Sequence, residues 1–352
     1  MLPALTSSEG TCLPSNTARK LMPTTDRDLT ATWKYTLHTL YHSGTGLFEF
    51  CLILRRDFFH TSSVYDRSDD SDMTSYVDTH CNIPNILTKL NLLGNSNGTT
   101  TQTEIIEAFA KMKQDVIKDK KLEAIVSVAS DSESQLDTMH LIDNVSEAFG
   151  VFGIHPLYAQ QMTEEVVERM ESYMKHPKTV AWGEIGLDYH PFPGYNYAAP
   201  DLQKETFIRQ MSLAIKHEKP IVIHTREAEA DTLDLMKKHL PRDWPLHVHC
   251  FTDSPQFARD LIAEFDNLFI GFTGVITFKN STDLRKVVEV VPLDRLLLET
   301  DGPFMAPIPH RGKVCHPGHV PFIADQIAKT KQVPVDLVYS TCRANTKRMY
   351  RL

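Results

Sequence analysis

Five side chains of the types that hold metal ions, His80, Glu184, His224, His249 and Asp301, each stand at the end of a short apolar run. The runs are Tyr76 to His80, Val180 to Glu184, Pro220 to His224, Leu246 to His249 and Leu296 to Asp301. Imidazoles and carboxylates together suit divalent ions from Zn²⁺ through Mn²⁺ to Mg²⁺. One carboxylate can bridge two ions, and Glu184 is the natural bridge. Two ions roughly 3.5–4 Å apart can activate a water and stabilise the leaving oxygen of a phosphodiester. His224 and His249 with Glu184 would serve one ion, and His80 and Asp301 with Glu184 the other. Asp301 could also accept the proton of the attacking water. A single His at a strand end is more often simply hydrogen-bonded. Five such residues at corresponding ends of five strands are hard to obtain by packing alone.

The apolar runs are rich in β-branched residues and read as buried strands. Further runs at Glu123–Ala129, Val151–His155 and Leu268–Gly271 bring the strands to eight. Amphipathic stretches alternate with them: Ile105–Lys118, Glu133–Phe149, Glu164–Lys175, Leu202–Glu218, Ala228–His239, Pro255–Phe265, Thr282–Val290 and Val320–Lys329. Strand–helix alternation predicts a parallel α/β fold. Eight strands in about 280 residues predict a (β/α)₈ TIM barrel, where chemistry gathers at the C-terminal ends of the strands. Asn91 to Thr103 is polar and rich in Gly and Asn, so a flexible loop is expected there, as a surface insertion or a lid.

Residues 1–73 differ from the rest, and the acidic run Asp66 to Asp72 reads as a solvated linker. The apolar residues between Thr32 and His60 could support some local order in this extension. The expected division is therefore 1–73 as an N-terminal extension of unassigned role and 74–352 as the barrel. The net charge of −8 argues against a broad basic face for nucleic acid. Bound ions must then supply positive charge locally. Six scattered cysteines without a CxxC pair suggest reduced thiols. The best apolar stretch, Leu47 to Leu54, is too short to span a bilayer, so no membrane association is expected. Without a leader pattern at its start, the chain is expected in the nucleus or cytoplasm.

Longer motifs surround the five residues. Gly153-Ile154-His155-Pro156, Gly183-Glu184-Ile185-Gly186-Leu187-Asp188-Tyr189, Ile223-His224-Thr225-Arg226, His249-Cys250-Phe251-Thr252 and Leu298-Glu299-Thr300-Asp301-Gly302-Pro303 occur in that order. Together they resemble the TatD family of metal-dependent deoxyribonucleases, from about Tyr76 to the C-terminus. Gly271-Phe272-Thr273-Gly274 and His316-Pro317-Gly318 are similar to the animal TatD domain-containing protein 2 group within it. The resemblance implies a barrel of the amidohydrolase superfamily, one or two divalent ions and hydrolysis of phosphodiesters, commonly 3′-to-5′ exonucleolytic. It implies that His80, Glu184, His224, His249 and Asp301 are metal ligands and that His155 faces the scissile phosphate. Asp188, Arg226 and Arg311 are candidate substrate contacts, and Tyr158 is a candidate base-stacking residue.

One position departs from the family pattern Asp-x-His-x-His, because this chain reads Asp78-Thr79-His80-Cys81-Asn82. Residues two apart on a strand share a face, so His80 and Asn82 would reach one ion. An amide oxygen suits Mg²⁺ or Mn²⁺ better than Zn²⁺. The expected function is thus a metal-dependent nuclease acting on DNA or RNA, at single strands or 3′ ends, with Mg²⁺ or Mn²⁺ favoured over Zn²⁺. The alternatives are a catalytically impaired nucleic-acid-binding protein marked by Asn82, and a small-molecule amide or ester hydrolase on the same barrel. Oligomeric state has no signal in the sequence.

Overall fold

A computed structural model describes residues 74–93 and 100–352. The expectations for the acidic run and for the segment between Thr32 and His60 lie outside the described residues, as do residues 94–99 of the proposed loop. Eight parallel strands follow one another in spatial order. They are β1 (Tyr76–Cys81), β2 (Leu122–Ala129), β3 (Ala148–Phe152), β4 (Thr179–Asp188), β5 (Ile221–Arg226), β6 (Leu246–Val248), β7 (Leu268–Phe272) and β8 (Leu296–Leu298). Among the described residues ten α-helices accompany them: α1 (Ile83–Lys89), α2 (Gln102–Lys111), α3 (Ser134–Asn144), α4 (Glu164–Tyr173), α5 (Pro200–Lys216), α6 (Glu229–His239), α7 (Pro255–Glu264), α8 (Thr282–Val290), α9 (Val320–Lys331) and α10 (Val335–Tyr350).

The strands are buried on both faces, which is why they read as continuous apolar runs rather than alternating ones. The outward faces pack on the helices, as Trp182 does, fully buried with its indole N–H donating to Gln210 at 3.2 Å. A second apolar cluster of Val126, Val128, Val151, Val222, Phe269 and Leu297 fills the barrel interior, and Met349 and Tyr350 of α10 join it. The interior is therefore a packed core.

The ring closes between β1 and β8. Cys81 bridges Gly302, and the Asp301 and Asn82 amides donate to the His80 and Gly302 carbonyls at 2.8 and 2.9 Å. Buried Asp78 crosses the same seam, accepting from the Thr300 hydroxyl at 2.6 Å and the Thr300 amide at 3.0 Å. This joint fixes His80 against Asp301, two residues drawn from opposite ends of the domain.

Several boundaries differ from the sequence reading. The helix expected over Glu133–Phe149 ends at Asn144, because Ala148 and Phe149 pair with Ile125 and Val126 in the sheet. Strand β3 accordingly stops at Phe152, and His155 lies beyond it as the cap of a short 3₁₀ turn, Pro156–Gln161. Helix α2 starts earlier than expected. Thr101 and Glu104 form a capping box, which takes the last part of the proposed loop into the helix. Helices α1 and α10 were not anticipated. The cysteines at 81, 250, 315 and 342 are free thiols, and no helix among the described residues is long and apolar enough to cross a membrane.

Candidate metal centre

The two-residue alternation of β5 that turns Val222 into the barrel core turns His224 toward the C-terminal mouth, and His155 and Asp301 reach the same mouth from the segments that follow β3 and β8. Together with His80, Glu184 and His249 they line a cleft of about 740 Å³. Glu184 is the centre of the cluster and is only 7% exposed. Its Oε2 lies 2.9 Å from His80 Nε2 and 3.1 Å from His249 Nε2. Its Oε1 lies 3.4 Å from His155 Nε2. The His80 and His249 rings stack at 3.9 Å and 8°, so their Nε2 atoms converge on the same carboxylate oxygen. His224 Nδ1 is 3.1 Å from His249 Nε2, and Asp301 Oδ1 is 3.8 Å from His80 Nε2. All five residues singled out from the sequence thus meet at one point.

Two donor groups stand out: His80, Glu184 and His249, and His155, Glu184 and His224. His155 does not fit the second as a ligand. The Leu157 amide donates to His155 Nδ1 at 3.2 Å, so in the neutral ring Nε2 carries the hydrogen. Burial and the neighbouring His224 push its pKa down to about 3, which keeps the ring neutral. His155 therefore offers the cleft a hydrogen-bond donor rather than a lone pair. Asp188 stands behind His224, its Oδ2 3.2 Å from Nε2, in the manner of a carboxylate that orients a ligating imidazole.

The electrostatics fit a divalent cation. Burial pushes Glu184 up, but His249, His80 and His155 outweigh it and hold the carboxyl well below its ordinary range. Burial would lower His80, but the hydrogen bond and charge of Glu184 lift it to about 9. Asp301 is pushed up to about 7 by burial. Buried carboxylates need a compensating cation, and the ion-pair partners of Glu184 are all imidazoles. Converging neutral nitrogens and carboxylate oxygens are the donor set that Zn²⁺, Mn²⁺ or Mg²⁺ can use, and a metal would take the place of the proton shared by His80 and Glu184.

The local backbone is specialised around these donors. Asp301 and Cys250 adopt φ of 50° and 43°, a left-handed conformation uncommon outside glycine. Gly186 has φ 148°, and a Cβ there would sit 1.9 Å from the His224 carbonyl oxygen, so β4 and β5 approach only because no side chain intervenes.

Asn82 also lines the cleft, but its side chain has other work. Strand β1 ends at Cys81, and Asn82 Oδ1 accepts the Asn85 amide at 3.0 Å as the N-cap of α1. Arg226 lines the cleft at the end of β5, its guanidinium 5.4 Å from the Phe192 ring centre. Arg311 is exposed, stacks at 4.4 Å on Phe278, and is not part of the cleft wall. Sequence reasoning missed the buried pair beneath the cluster, where His247 Nε2 lies 2.9 Å from Glu299 Oε2 and Nδ1 meets the Tyr350 hydroxyl at 2.7 Å. His247 shares a strand face with His249, which was the available signal.

The family model described as TatD related DNase matches residues 77–351. The chain belongs to the TatD family. TatD proteins of this kind include YabD of Bacillus subtilis, an uncharacterized metal-dependent hydrolase that is 37% identical over 73% of this chain and 96% of its own length. The human 3′-5′ RNA nuclease TATDN2 is 33% identical over 83% of this chain, which spans only 38% of that protein. The crystal structure of YjjV, a TatD homologue from Escherichia coli, superposes with a TM-score of 0.66 at 22% identity, covering 80% of this chain and 99% of that one. That likeness speaks for the barrel alone. The chain is thus a metal-dependent hydrolase of the TatD family.

Proposed function

We propose that residues 74–352 form a nuclease domain that shortens single-stranded nucleic acid, DNA or RNA, from its 3′ end, with Mg²⁺ or Mn²⁺ as the cofactor. The observation that carries this reading is the Glu184 carboxylate, held within 2.9 and 3.1 Å of two stacked imidazoles at the floor of an open cleft. His80, His249 and Glu184 would hold one ion, with His224 and Asp301 completing the donor set for a second. Bound divalent ions supply Lewis-acid polarisation of the phosphate and acidify a water. His155 donates through Nε2–H to a non-bridging oxygen, where negative charge grows as water adds to phosphorus. Asp301, on the cleft wall with its Oδ1 3.8 Å from His80 Nε2, takes up the proton of the attacking water. Arg226 orients the phosphate from the cleft wall, and Asp188 holds His224 in register. The similarity to a human 3′-5′ RNA nuclease supports RNA among the substrates.

The test is cleavage of 5′-labelled single-stranded RNA and DNA by metal-stripped protein supplied with Mg²⁺, Mn²⁺ or Zn²⁺. The expected result is stepwise loss of 3′ nucleotides that chelator abolishes. A folded sample that leaves both strands intact in every metal contradicts the proposal.

A further inference from the structure

Between β4 and α5 the chain runs Tyr189-His190-Pro191-Phe192-Pro193-Gly194-Tyr195-Asn196-Tyr197, an unusual density of aromatic rings for a solvent-facing loop. The rings form one connected group. Tyr195 and Tyr197 lie parallel, 5.3 Å apart at 2°. Tyr197 meets Phe192 edge-on at 5.2 Å and Tyr158 edge-on at 6.0 Å. Tyr158 in turn lies 6.1 Å from the His155 ring. Tyr158 and Phe192 are part of the wall of the metal cleft, so the group runs from the cluster outward to solvent. Its outer end is bare, since Tyr195 is 69% exposed.

A connected group of four aromatic rings that runs from a cleft to an exposed end is a patch rather than a single exposed side chain, and such patches mark binding surfaces. Flat rings stepping away from a site for phosphodiesters match the faces of successive bases. Arg226, against Phe192 at 5.4 Å, sets a cation where the rings meet the cluster, which suits the phosphate of the same strand. Tyr side chains present such area with little loss of rotamer freedom. We infer that Tyr195, Tyr197, Phe192 and Tyr158 form a stacking platform for unpaired bases, and that this platform selects single strands over duplex. The inference rests on the phosphodiester reading of the cleft. Bases in a duplex are already stacked on their neighbours and cannot use the platform; unpaired bases can.

The test is fluorescence anisotropy of the full chain in chelator with three labelled probes: a short single strand, its blunt duplex, and the same strand built with abasic spacers. Tyr195→Ala is the main variant, because so exposed a ring can be removed without disturbing the barrel. Tyr195→Phe keeps the ring face. Loss of one stacked base weakens binding by roughly tenfold. The expected result is that loss for Tyr195→Ala on the single strand only, with Tyr195→Phe close to wild type and the abasic strand indifferent to both changes. Equal affinity of Tyr195→Ala and wild type, or no single-strand binding by wild type, overturns the platform. Because no metal is present, this outcome is independent of cleavage: a chain that binds through Tyr195 but never cuts loses the nuclease reading and keeps the platform.

Discussion

Replacing Asn82 separates two roles that its position allows. The residue lines the cleft, yet its Oδ1 is engaged 3.0 Å from the Asn85 amide as the cap of α1. Ala at an N-cap costs about 1 kcal/mol, whereas Ser retains an acceptor oxygen and costs only a few tenths. For a domain of this size about 1 kcal/mol corresponds to a fall of about 2–4 °C in Tm. Asn82→Ala should therefore melt about 2–4 °C below wild type, and Asn82→Ser within about 1 °C of it. The melts belong in chelator, so that metal binding to the folded state does not mask the cap. Calorimetric titration with Mn²⁺ supplies the second readout. If capping is the role of Asn82, both variants bind Mn²⁺ within roughly threefold of wild type, a difference below about 1 kcal/mol. A Ser variant that melts like wild type but binds Mn²⁺ tenfold more weakly would refute the reasoning and make Asn82 a ligand.

Asp188→Asn keeps the shape but removes the charge that faces His224 Nε2 at 3.2 Å. A competition titration should show metal affinity lower by about 10–100-fold, with little change in the melt of the metal-free protein. A separate prediction concerns acid. His316 and His319 pack ring on ring at 4.0 Å, and burial, the first cause for each, pushes them down to about 4 and about 3. The unfolded chain takes up these protons near pH 6.5 and the folded chain does not, so stability falls as pH drops from about 6.5 toward 4. By pH 5 the loss is at most about 2 kcal/mol per residue, less after solvent screening. Denaturant titrations of His319→Asn should show a shallower decline across this window than wild type, and parallel curves would contradict the assignment.

The barrel was legible because parallel strands covered on both sides must be apolar throughout, and runs such as Pro220 to Ile223 or Leu296 to Leu298 have few other uses. The clustering of His80, Glu184, His224, His249 and Asp301 was legible because a polar side chain ending such a run has only the barrel mouth to occupy. Helix α10 was not, because part of its buried face is polar. Asn345 is 2% exposed and donates to the Leu293 and Leu296 carbonyls at 2.9 and 2.8 Å, so no apolar stripe announces the helix. The end of α3 was missed because helical periodicity runs on into Phe149, and only pairing with β2 ends it. Asn82 was placed on the strand face of His80, although Asn82 followed by Ile83-Pro84 carries the signature of a helix start. The tautomer of His155 depends on the Leu157 amide, a through-space contact that residue types do not encode. The aromatic group at Phe192, Tyr195 and Tyr197 is not legible from residue types because its meaning comes from the cleft beside it.

In the proposed mechanism Glu184 organises the metal-dependent chemistry, and Glu184→Gln isolates that role. Gln preserves the volume between His80 and His249 while removing the charge that both imidazoles face at 2.9 and 3.1 Å. The variant should fold, with Mn²⁺ binding and oligonucleotide cleavage both lower by roughly three orders of magnitude, about 4 kcal/mol. Cleavage at the wild-type rate by Glu184→Gln, with metal dependence intact, would contradict that mechanism.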